Sequence, residues 1–136
     1  MMSKEFIVEH PCGILISREL KESEMSSVND AEKQDMKTGY VWYSLPATQV
    51  LGKNVAFSLC FFNGILTSIS LALSNPNLYG SGWDNWSEKK ERLRSKHTGE
   101  WLETNGYRLG SHPWGKVWAT YDAKGASGGG GVQYNP

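Results

Sequence analysis

The sequence predicts an α+β domain: an antiparallel sheet of about five or six strands with one principal helix packed on one face. Three observations carry this. "NVAFSLCFFNGILTSISLAL" has two apolar, β-branched runs flanking Asn63-Gly64, a hairpin signature. "WSEKKERLRSKHTGEWLETNG" has helical spacing with a cap at its start and a glycine at its end. "WGKVWATYD" alternates Val117, Ala119 and Tyr121 against Lys116, Trp118 and Thr120, as a half-buried strand does. At 136 residues, positions 1–136 form a single domain. A chain of this size buries roughly 68 to 70 % of its unfolded surface, so its core needs no disulfide or metal.

In chain order, "EFIVEH" is a short extended segment ended by Pro11, and "GILISREL" (Gly13 to Leu20) reads as a strand through the alternation of Ile14, Ile16 and Arg18. Positions 21–38 are polar with no clear helical periodicity and read as a long exposed loop. "YVWYSL", Tyr40 to Leu45, has strand composition and is stopped by Pro46.

The hairpin can be closed in two ways. A two-residue Asn63-Gly64 turn pairs Phe61 with Leu66 but then sets Leu59 and Phe57 opposite Ser68 and Ser70. A three-residue loop, Phe62-Asn63-Gly64, pairs Phe61 with Ile65, Leu59 with Thr67, Phe57 with Ile69 and Val55 with Leu71, and gathers the large side chains on one face. Hydrophobic patterning selects the longer loop. The expected core face is Val55, Phe57, Leu59, Phe61, Ile65, Ile69 and Leu71, with Ser58, Cys60, Ser68 and Ser70 opposite.

The helix is expected from about Asn85 to Thr104, with Asp84 or Ser87 as N-cap, Gly106 as its stop, and Trp86, Leu93, His97 and Trp101 on its apolar stripe. Gly99 costs it about 1 kcal/mol relative to Ala. After the strand over "WGKVWATYD", positions 126–136 contain four successive glycines and read as a weak edge strand or a tail.

Charge and motifs narrow the function. Lys plus Arg and Asp plus Glu are both 14, so no overall field favours nucleic acid or an anionic membrane. The N-terminal third is locally acidic. No stretch has the apolar length of a secretory core or a membrane span, and a cytoplasmic location is expected. Cys12 and Cys60 fit no metal spacing and read as two thiols. His10 and Cys12 lie close in sequence but lack an orienting carboxylate. His10, His97 and His112 have none of the i, i+3 or i+4 spacings of a metal site, and the glycine run lacks the helix that a phosphate loop needs. No catalytic residue, cofactor or metal is therefore assigned. Six tryptophans exceed what this core needs, and Trp42 and Trp83 are the two without a clear core position.

The order "FFNGILTSISLAL", "GWDNWSEKKERLRSKHTGEWL", "WGKVWATYDAKGASGGGGVQY" resembles a group of small bacterial proteins found beside polymorphic and contact-dependent growth inhibition toxins, some of which are immunity proteins. The resemblance covers roughly positions 50–134. It departs at Gly128 to Gly131, where the pattern alternates Ser with β-branched residues. It implies an immunity protein, not an enzyme, that binds and neutralises a toxin. An acidic segment suits a basic partner such as a nuclease, so Glu22, Glu24, Asp30, Glu32 and Asp35, with Trp42, are the expected partner-binding residues. The alternatives are a small hydrolase using the His and Cys residues, and a small-ligand module using Trp42 and Trp83.

Overall fold

A computed structural model describes residues 4–80, 86–124 and 127–136. Where five or six strands were expected, the main antiparallel sheet has seven, and a two-stranded ribbon lies beside it. The ribbon is β1 (Val8–Glu9) with β2 (Leu15–Ile16). The sheet contains β3 (Glu32–Asp35), β4 (Tyr40–Val50), β5 (Lys53–Phe62), β6 (Ile65–Leu73), β7 (Gly110–His112), β8 (Gly115–Asp122) and β9 (Ser127–Tyr134) in the order β3-β4-β5-β6-β9-β8-β7.

The β5–β6 hairpin satisfies its core by a route that the sequence reading did not weigh. Asn63 and Gly64 have φ of 50° and 85°, so the turn has two residues with both centres left-handed. Phe62 faces Ile65 and Phe61 faces Leu66, and then the register slips so that Cys60 faces Ser68 and Leu59 faces Ile69. Thr67 is the extra residue, a β-bulge, and its Oγ1 donates to the Cys60 carbonyl at 3.1 Å. The bulge turns both Leu66 and Ile69 inward. Ile65, expected in the core, is 58 % exposed, and Cys60, expected on the polar face, is nevertheless buried.

Pro46 does not end its strand. β4 continues to Val50 through a register shift between Leu45 and Thr48, and β3 pairs only with Val41–Ser44, so the ring sits where no outer partner needs an N–H. Positions 21–38 are likewise more ordered than a loop. A 3-10 helix, Glu22–Ser27, buries Met25, and Val28 three residues on is also buried, a spacing that matches its three-residue turn. β3 follows as an exposed edge strand. The strand expected over Gly13 to Leu20 is confined to Leu15–Ile16.

The largest correction concerns the glycine run, which is neither edge nor tail. β9 lies between β6 and β8, near the middle of the sheet. Glycine is required because the helix α2 (Glu88–Thr104), which follows the short helix α1 (Pro76–Tyr79) in the chain, crosses this strand at close range. A Cβ on Gly128 would overlap the Glu91 carbonyl, and one on Gly130 would meet the Thr98 methyl at 3.2 Å. On the opposite side a Cβ on Gly131 would collide with the Trp118 indole.

α2 begins at an N-cap, Ser87, whose Oγ accepts from the Lys90 amide at 3.1 Å; Asn85 and the alternative cap Asp84 lie outside the described residues. It ends in a Schellman arrangement. Gly106 has φ of 89°, Tyr107 N donates to Leu102 O, and Gly106 N donates to Glu103 O. Its buried residues are Glu91, Thr98, Gly99, Trp101 and Leu102, so of the expected stripe only Trp101 is fully buried and Trp86 is exposed. Small and polar residues win this face because they let the helix approach glycine. Glu91 Oε1 accepts from Gly128 N at 3.0 Å, while its Oε2 pairs with Arg94 at 3.3 Å. Thr98 Oγ1 accepts from Leu73 N.

The core fills the space between the sheet and a cover made of α2 and the N-terminal segment. Phe57, Leu59, Phe61, Ile69, Leu71, Val117 and Val132 project from the sheet, and Phe6, Ile16, Leu20, Met25 and Leu102 meet them. Tyr134 Oη donates to Phe6 O and Tyr107 Oη to Ile7 O, tying the N-terminal segment to distant parts of the chain.

Candidate interaction face

Strand alternation puts the other half of each sheet residue set on the opposite face. Two rows run across it, fixed by register. The first is Gln34, Trp42, Cys60, Ser68, Gln133 and Lys116. The second is Glu32, Ser44, Ser58, Ser70, Gly131 and Trp118. No described helix lies over these rows, since α2 and the N-terminal segment pack on the core side.

The centre of the face is small and its flanks are large. Ser44 Oγ and Ser58 Oγ are 3.2 Å apart, and Ser70 continues their line. Trp42 and Trp118, both half-buried, stand on β4 and β8. Four strand spacings separate those strands, about 19 Å. The Trp118 ring is held flat by the missing side chain of Gly131 beneath it. A shallow depression of about 300 Å³ lies beside Trp42, lined by Gln34, Met36, Ser44, Ser58 and Ser70. The arrangement offers two flat indoles across a trough of hydroxyls, which suits a broad surface more than an enclosed ligand.

The six expected binding residues do not all share this face. Glu32 and Trp42 do, on adjacent strands. Glu22 lies on the other side of the sheet, accepting from Tyr43 Oη at 2.8 Å with Lys33 Nζ at 3.7 Å. That environment, burial first and the Glu22 carboxylate second, raises Tyr43 to about 12. Glu24 accepts from Lys21 N in the capping box of the 3-10 helix, and Asp35 Oδ1 accepts from Lys37 N in the turn after β3. Asp30 is exposed in the turn before β3. Trp83 lies outside the described residues.

The histidines stand apart, each with its own partner. His10 is buried edge-on against Phe57 and its Nδ1 accepts from Cys12 N at 3.1 Å, so the ring turns inward while Cys12 is exposed. Burial pushes its pKa below the ordinary histidine value. His97 Nδ1 is 2.8 Å from Tyr79 Oη, and His112 stacks on Trp114 at 5.2 Å with its Nε2 near Arg108 O. Among the described residues no three His, Cys, Asp or Glu side chains converge as a metal site. No described helix is long and apolar enough to cross a membrane.

Sequence reasoning missed Trp118 as a face residue, assigning it only to the sheet. Parity had already set it opposite Val117 and Ala119; what was lacking was its cross-strand neighbour, Gly131, which only the β8–β9 pairing reveals. No protein-family model, curated protein or solved structure matches the chain.

Proposed function

We propose that this chain is an immunity protein, which neutralises a bacterial toxin domain by one-to-one binding in the cytoplasm of the cell that makes it. The observation that carries this reading is the sheet face, covered by no described helix, with Trp42 and Trp118 flanking the serine trough. Indoles at a protein surface are the side chains that most often dominate association energy, and a rigid sheet presents them without an ordering cost. Glu32 on the face and Asp30 beside it supply negative charge whose carboxylates are not engaged within the described chain, whereas Glu22, Glu24 and Asp35 are engaged in internal hydrogen bonds. A basic toxin domain such as a nuclease therefore fits this end of the sheet.

The test is a search for a large secreted protein encoded next to this chain, followed by a pull-down and titration calorimetry against that protein's C-terminal domain. The expected result is saturation near one to one, with Asp30→Asn plus Glu32→Gln lowering both affinity and its salt dependence. Absence of binding at micromolar concentration would reject the pairing. Binding with an unchanged salt slope in the double variant would remove those acids from the contact.

A further inference from the structure

The two edges of the main sheet are protected differently. At one edge β3 carries Glu32, Lys33 and Asp35, and the unpaired part of β4 carries Pro46, devices that discourage another strand. At the other edge β7 covers only part of β8. Asn135 N donates to Trp114 O at 3.0 Å, one step before Gly115 faces Tyr134. Antiparallel pairing alternates, so Lys116, Trp118 and Thr120 turn their backbone groups to β9, and Gly115, Val117, Ala119 and Tyr121 turn theirs outward. β7 takes the first two, through His112 opposite Gly115 and Gly110 opposite Val117, and then stops.

It stops for a visible reason. Gly110 has φ of 119°, and beyond it the chain is drawn toward α2, where Leu109 N donates to Glu103 Oε1 at 3.2 Å, while the carbonyl of Arg108, the residue that would next face β8, lies 2.6 Å from His112 Nε2. Among the described residues no strand pairs with the outward groups of Ala119 and Tyr121, and only Thr120 Oγ1 comes near, at 3.5 Å from Tyr121 O. Beside this open edge runs α2, and between them lies a groove of about 590 Å³ lined by Ser95, Lys96, Gly99, Glu100, Leu109 and Ala119. Gly99 is the narrow point. A Cβ there would lie 3.2 Å from Ala119 Cβ and 3.5 Å from Leu109 Cδ1.

We propose that the free edge of β8 is a docking site for an extended segment of a partner polypeptide, which adds as a strand along Trp118–Asp122 in the groove against α2. The occupant follows from the chemistry. Backbone donors and acceptors at strand spacing, with a helix alongside, are satisfied by another backbone in extended form. Five residues span about 17 Å, the length of the free edge. The side chain entering the groove is small and apolar, to fit over Ala119 beside Leu109. This site uses the outward backbone groups of Ala119 and Tyr121 and not the Trp118 indole, and it stands whether or not the immunity reading does.

A phage-displayed library of linear heptapeptides, selected against the full chain, tests it. Enriched peptides should alternate apolar with polar residues. In amide hydrogen exchange, Ala119 and Tyr121 should exchange readily in the free chain and slow at least tenfold when one synthesised, enriched peptide saturates it. Ala119→Pro should weaken that peptide at least tenfold. N-methylation of the peptide at alternate residues should do the same with the protein unaltered. The proposal is overturned if no peptide is enriched or if binding leaves the two amides unprotected. Protection that rises with protein concentration in the absence of peptide would also overturn it, because the occupant would then be a second copy of the chain.

Discussion

The two faces of the main sheet are built from the same strands and differ in almost everything else. On β5, Phe57 is 1 % exposed and packs under the N-terminal segment, while Ser58, its neighbour in sequence, faces solvent on the other side. One face is specified by volume. The other is specified by smallness at its centre, with glycine, alanine and serine leaving room for two indoles. A core face tolerates little change because its neighbours are close-packed, whereas a face that no described helix covers is free to be chosen for what binds it.

That contrast can be broken by substitution, starting with the largest effect. Phe57→Ala should cost about 3 to 5 kcal/mol in denaturant unfolding, through lost burial and the cavity left behind. A loss below about 1 kcal/mol would mean that the core is not closed over Phe57. Gly128→Ala should cost about 1 to 3 kcal/mol by forcing α2 away from β9, since the added methyl meets backbone that cannot swing aside. Unchanged stability would show that the helix is not held as close as described. Ser58→Ala, on the open face, should stay within about 0.5 kcal/mol of the parent.

The pH dependence separates the two faces again. His10 lies on the core side, and its folded pKa is below the ordinary value because burial disfavours the charged ring. Below about pH 6.5 the unfolded chain binds a proton that the folded chain resists, so stability is full above that pH and falls as pH drops. His10→Asn keeps an acceptor for Cys12 N and removes the titration. Unfolding free energies measured between pH 7.5 and 5.5 should therefore slope less in the variant, and parallel slopes would place the proton uptake elsewhere.

How much of this was legible in the sequence depended on whether the deciding interaction was local. The helix end at Thr104 and the strand over "WGKVWATYD" follow from local spacing and caps, and both stand in the structure. The hairpin register was not legible. Turn type and core pattern conflicted there, and the chain resolved the conflict with a bulge at Thr67, which no periodicity reveals. The glycine run was misread for a related reason. Strand propensity counts the missing side chains as a loss, but α2 and Trp118, distant in sequence, occupy the space they leave. Of the expected site, Trp42 and Glu32 could be placed on one face only once β3 was known to be a strand, and β3 has no apolar alternation to announce it.

The most direct test of the open face as a binding surface is calorimetric titration of Trp42→Ala with the proposed toxin partner, alongside the parent chain and a thermal melt of each. Trp42 contributes little to the core, so the melt should stay close to the parent's. The affinity should fall by about 30-fold or more, the loss expected when an interface anchor worth about 2 kcal/mol is truncated. An affinity within twofold of the parent, with the fold intact, would contradict the account and move the proposed partner's contact off this face.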